Sequence, residues 1–151
     1  MEEIFVGMLA FFAFFAIIGL VLYLVLAFGL YRMAANQNIE LAWLSFVPIA
    51  QFYIMGLLIG DRVVLFDREI TNVGMILVVG SIVAPMLNVI PVIGTLIFLA
   101  FIVFQYYIIY KLFESYGDNP VLHLVLSIIV PVLFPVFIFM LRENESKVRL
   151  A

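Results

Sequence analysis

The sequence contains no cysteine and a single histidine. The first absence excludes disulfides, thiolate metal sites and cysteine nucleophiles. The second leaves no basis for a histidine-rich metal centre. Charge is scarce too. Charged residues make up 11% of the 151 positions, where soluble domains carry about a quarter. No GxSxG, HExxH or P-loop pattern occurs. The net charge of −3 is too small and too dispersed for a nucleic-acid partner or a polybasic lipid-binding patch. Proton pumps, voltage sensors and coupled transporters keep ionisable side chains at membrane depth. In this chain Glu40, Asp61, Lys111, Glu114 and Asp118 all stand at the ends of apolar segments. The expectation is a non-enzymatic protein with no catalytic residue, no cofactor and no metal.

What the sequence has in abundance is apolar surface, with 68% of residues hydrophobic. A soluble fold of this length cannot hide that much, so lipid must be part of its solvent. The predicted class is an all-α integral membrane protein, a compact bundle of four to five hydrophobic segments forming one domain. The segments fall at about 4–32, 41–60, 70–87, 91–113 and 120–141. The start Met1-Glu2-Glu3 is acidic where a signal peptide is basic, so the first segment is read as a permanent span. Along it Ala10, Ala13, Ala16 and Gly19 recur at every third position and would let another helix approach closely.

Residues 70–110 form an uncharged run that must fold back. As one helix it would reach about 60 Å, twice the hydrocarbon core. The stretch Pro85 to Gly94, PMLNVIPVIG, supplies the turn through Pro85, Asn88 and Pro91. Gly80 and Ala84 form a small-xxx-small pair on the first arm. Further on, Gly117 is placed to end a helix, and Asn119-Pro120 to start the next. The segment 121–141 carries Pro131 and Pro135 and is read as a kinked span; the charged tail after it is read as frayed. The stretch GDRVVLFDREITN after Ile59 surrounds four apolar residues with charge, the pattern of a segment lying at the water interface.

The segment 41–60, LAWLSFVPIAQFYIMGLLIG, has two open readings. It is long enough to cross, yet Pro48 and Gln51 interrupt it. If all five segments cross, the basic residues divide almost evenly between the two sides. If 41–60 and 121–141 both leave and return on the cytoplasmic side, every basic residue is cytoplasmic and the amino terminus is outside. Projected as one helix, Ser45, Pro48, Gly56 and Gly60 share a sector. That face, with Gly80 and Ala84, is the candidate packing surface. Gln51, Tyr53, Asn88 and His123 are the candidate intramembrane polar or pathway residues, and His123 reads first as a neutral interfacial side chain.

Two resemblances are visible. The Gly60-Asp61 and Gly117-Asp118 dipeptides weakly resemble those of intramembrane aspartyl proteases, but they border charged loops and read as turn or cap residues. More extensively, Trp43, Pro48, Ile49, Tyr53, Gly60, Asn88, Pro131 and Pro135 follow the pattern of a loosely defined group of small, uncharacterised prokaryotic multi-span membrane proteins. The likeness covers roughly residues 35–141, with Gln51 where an asparagine often precedes the tyrosine. It implies a prokaryotic cytoplasmic membrane and no activity. The leading expectation is an auxiliary, assembly or regulatory subunit whose partners are the lipid bilayer and itself or another membrane protein. A small homo-oligomeric channel or transporter is the alternative. Lipid handling at a groove beside Pro48 is the third.

Overall fold

The computed structural model describes residues 1–148; Arg149, one of the seven basic residues, lies outside them. Helices dominate. They are α1 (Glu2–Asn36), α2 (Ala50–Leu58), α3 (Val73–Leu87), α4 (Ile93–Tyr116), α5 (Pro120–Ile129) and α6 (Leu133–Leu141), with a 3-10 helix at Ala42–Phe46. One departure from the all-α expectation is a hairpin of strands β1 (Arg62–Leu65) and β2 (Arg68–Thr71). Two helices, α1 and α4, are long and apolar enough to cross a membrane. The arms α3 and α4 and the turn between them fall where the prolines and Asn88 placed them.

The β-hairpin replaces the expected flat interfacial segment. Its strands pair antiparallel, Val63 opposite Ile70 and Leu65 opposite Arg68. Only Phe66 and Asp67 join them, both at positive φ, the geometry of a two-residue turn matched to strand twist. The charges flanking the apolar residues are explained by the pairing. Val63 is buried while Arg62 and Val64 on the other face are exposed.

The segment 41–60 is not a continuous helix. The 3-10 helix ends at Val47 in extended geometry, as the residue before Pro48 prefers. Helix α2 then has nine residues, about 13 Å at the usual rise, less than half of a hydrocarbon core near 30 Å. Its C-terminus is a Schellman motif. The Asp61 N–H donates to Gly56 O at 2.9 Å and the Gly60 N–H to Leu57 O at 3.0 Å, with Gly60 at φ 89°, a conformation glycine adopts at little cost. The segment also returns to its start, since Gln37 Nε2 donates to Leu58 O at 3.4 Å. The ends of 41–60 therefore lie side by side.

Residues 121–141 overturn the kinked-span expectation. Helix α5 ends at Val130, extended before Pro131, and α6 begins two residues after that proline. Pro135 lies in the first turn of α6, where a missing N–H costs nothing. The ten and nine residues of α5 and α6 make a second short hairpin, each arm about 15 Å or less. Its ends meet as well: Asn144 Nδ2 donates to Tyr116 O at 2.8 Å, and Lys147 Nζ to Gly117 O at 2.7 Å. The tail through Val148 is thus docked rather than frayed. With the Lys147 N–H on Ser115 O at 2.8 Å, it satisfies carbonyls that the end of α4 leaves without helical partners.

The buried core sits where these ends converge. Leu30 and Met33 of α1, Ile54 and Leu58 of α2, Leu77 of α3, Leu112 and Phe113 of α4 and Ile138 of α6 are fully enclosed. Away from it the chain opens out. Residues 2–21 of α1 are exposed along their whole length. So are most of the α3–α4 tip and the turn between α5 and α6.

Candidate functional site

The predicted packing face does not exist as one surface, because the break at Pro48 invalidates a single helical projection. Ser45 is fully buried, while Pro48 is exposed at the turn. Gly56 faces α3 so closely that a Cβ there would overlap the Gly74 backbone. Gly74 in turn faces the Tyr53 ring and carbonyl. Gly60 belongs to the cap of α2 and not to a helix face. On the first hairpin arm, Gly80 lies under the Phe101 ring and Ala84 is buried. Every one of these small residues is consumed by contacts inside the chain or by a turn. Gly94, which sequence reading used only as a turn marker, is also spoken for, since its Cα lies against the Leu87 carbonyl.

Gly29 of α1 is likewise packed, against Ile138 and Phe139, but the two glycines nearer the amino terminus differ. Around Gly7 and Gly19 a Cβ would meet nothing within 4 Å. Ala10, Ala13 and Ala16 between them are exposed, as are Phe11, Phe12, Phe14 and Phe15. From Ile4 to Val21 the helix is apolar all round, which a helix sustains only with lipid or another protein about it.

The candidate pathway residues are dispersed. Gln51 is buried and donates Nε2 to Ser45 O at 2.9 Å, satisfying a carbonyl freed at the Pro48 break. Tyr53 packs on Gly74. Asn88 is exposed at the α3–α4 tip, where its Oδ1 accepts from Thr95 Oγ1 at 3.0 Å. His123 stacks on Phe113, with centroids 5.4 Å apart, and meets Phe137 edge-on at 4.7 Å. Its Nδ1 lies 2.8 Å from Asn119 O, a contact that requires the proton on that nitrogen. The four residues line no common path.

The two Gly-Asp aspartates are engaged separately. Asp61 Oδ1 accepts the Gly74 N–H at 2.7 Å, capping the first turn of α3 as an anion at a helix N-terminus. Asp118 pairs with Lys147 at 3.3 Å. Among the described residues no group of three or more His, Asp or Glu side chains converges as metal ligands would.

What sequence reading missed is the charged end as a built surface. Arg32 of α1 pairs with Glu143 of the tail at 3.1 Å, and Asn36 Nδ2 donates to Arg142 O at 3.1 Å. Arg142 lies 3.8 Å over the Phe139 ring. Gln37 Nε2 also donates to the Tyr116 hydroxyl. Asn36, Gln37, Tyr116, Glu143 and Asn144 line a polar cleft of about 490 Å³. On another side of this end, Tyr107 OH donates to Val64 O at 3.0 Å and fastens the β-hairpin to α4. Every charged side chain among the described residues except Glu2 and Glu3 belongs to this end or its loops. The signal was present in the donors of AANQNIE and RENESK, but nothing local paired segments about a hundred residues apart. No protein-family model, curated protein or solved structure matches the chain.

Proposed function

We propose that this is a small non-enzymatic membrane protein that acts as an auxiliary, assembly or regulatory subunit, with the projecting half of α1 as the helix that engages a membrane partner. The observation carrying this reading is that residues 2–21 of α1 are exposed throughout while the glycines elsewhere in helices are already in close contact. In a bilayer, α1 and the α3–α4 hairpin provide the spans. The segment 41–60 and the α5–α6 hairpin enter to about half depth and return, covered by α1 and α4 as broken backbone at membrane depth requires. Gathering of the basic residues at one end supports a cytoplasmic position for that end, with the amino terminus outside.

Cysteine accessibility tests the topology, on a chain with no natural cysteine to confuse it. Single cysteines at Asn38, Asp67, Gly117 and Ser146 are expected to label from one side, and Asn88 from the other. Asn38 and Asp67 on opposite sides would defeat the returning segment. The partner reading is tested by cross-linking and co-purification after mild detergent extraction, comparing Ala13→Leu and Gly19→Leu with Val79→Leu on α3. Loss of one defined partner only with the α1 variants is expected. An association indifferent to both α1 substitutions would sink the proposal. The channel alternative draws no support from the dispersed positions of Gln51, Asn88 and His123.

A further inference from the structure

Between the β-hairpin and α4 lies a groove of about 300 Å³. Its rim carries two ion pairs. Arg62 Nη1 and Glu69 Oε1 of the hairpin are 3.4 Å apart, and Lys111 Nζ and Glu114 Oε2 of α4 are 2.7 Å apart. Its floor is apolar, with Val64 and Tyr107 among its lining. The Arg62–Glu69 pair is solvent-exposed, and such pairs contribute little to stability; the Lys111–Glu114 pair is half-buried.

The surroundings fix the level of this groove. Lys111 lies near the rings of Tyr107 and Tyr110, at 5.8 and 5.9 Å from their centroids, an arrangement suited to the water–lipid boundary. The hairpin exposes Val64 (63%) and Phe66 (89%) beside its charges. Phe66 occupies a positive-φ turn position where Asn, Asp or Gly is preferred, so an apolar ring is held outward at a site where a polar residue would fit better. From Tyr107 an exposed apolar strip continues along the same face of α4, through Val103, Leu99 and Leu96, four, eight and eleven residues back. A charged groove therefore opens onto an apolar track.

We propose that this groove binds a phospholipid whose headgroup carries both a phosphate and a primary ammonium, its acyl chains lying along the Leu96–Val103 strip. Arg62 and Lys111 donate to the phosphate oxygens, and Glu69 and Glu114 accept from the ammonium. The rim sums to zero charge, which complements a zwitterion. A purely anionic headgroup would have to face two carboxylates. This inference rests on the membrane reading of the chain but not on α1 having a partner, so the two fail separately.

Native mass spectrometry of the detergent-extracted protein with added phospholipids of ethanolamine, glycerol or choline headgroup tests it. Ethanolamine lipid is expected to be retained best. The R62Q/K111Q double variant should lose about tenfold in retention, the scale of one or two charge-assisted hydrogen bonds. The E69Q/E114Q variant should abolish the advantage over glycerol lipid. R32Q/R142Q, at the same end but outside the groove, should change nothing, and millimolar inorganic phosphate should not displace the lipid. Circular dichroism separates loss of fold from loss of binding; where a double variant does not fold, Arg62→Ala, at an exposed strand position, gives the same readout. Preference for glycerol or choline lipid, equal loss in R32Q/R142Q, or displacement by free phosphate would each overturn the proposal.

Discussion

The two ends of this molecule use the same small residues in opposite ways. At the charged end, Gly56 and Gly74 bring α2 and α3 into backbone contact, and Gly60 turns the chain out of α2. Two short hairpins, a β-hairpin and the docked tail close around one core. At the far end, Gly7 and Gly19 sit in open space on the exposed first part of α1. In sequence the two sets look alike, a glycine with small residues three or four positions away. The difference is whether the chain returns to cover the face. Where it does, a small residue is a structural necessity; where it does not, the residue is free to serve contact with something outside the chain.

Substitutions at the two ends should therefore differ in kind. The largest effect is expected from Gly56→Ala. The added Cβ must displace the Gly74 backbone rather than a flexible side chain, and overpacking of that sort costs about 2–3 kcal/mol. Thermal unfolding in detergent would register it as a clear drop in midpoint, and an unchanged midpoint would mean the α2–α3 approach is looser than described. Next comes the tail. Replacing Asn144 and Lys147 by Ala strips the donors from Tyr116 O and Gly117 O and should cost about 1–2 kcal/mol, the scale for carbonyls left unpaired at a partly buried helix end. Protease sensitivity of the tail should rise in parallel. Gly60→Ala follows at about 1 kcal/mol, because alanine must adopt the left-handed conformation of the Schellman turn. That loss should appear without any change in partner association.

The parts legible in the sequence were those with a local cause. Uncharged runs of known length gave helices α1 and α4, and the Pro85-to-Gly94 stretch placed the turn between α3 and α4. Gly117 and Asn119-Pro120 mark the boundary of α4 and α5, and Asp61, which reads as a turn or cap residue, caps the first turn of α3. The charge count admits a return of 41–60 and 121–141, although 121–141 reads first as a kinked span, and the hydrogen bonds from Gln37 and Asn144 bring the ends of each segment together. What failed depended on distant partners or on a hidden break. The face of Ser45, Pro48, Gly56 and Gly60 assumed a helix that Pro48 interrupts. The β-hairpin was masked because Phe66-Asp67 lacks the usual Asn-Gly turn signature. The tail reads as frayed because its partners, the last carbonyls of α4, are invisible until α4 and the tail are brought together.

The smallest effect on stability belongs to the open end, and it is the sharpest test of the contrast. Gly19→Ala introduces a Cβ that meets nothing and replaces a poor helix former by a good one, so stability should be unchanged or raised by up to about 1 kcal/mol. The same added methyl stands on the face where Ala13 and Ala16 would admit another helix. Gly19→Leu should therefore leave the midpoint within about 0.5 kcal/mol of the parent, as surface changes usually do, while weakening any helix-mediated association in the membrane. Should Gly19→Leu unfold the isolated protein instead, α1 must be covered by the chain itself, and the open end would have to be redrawn as part of the core.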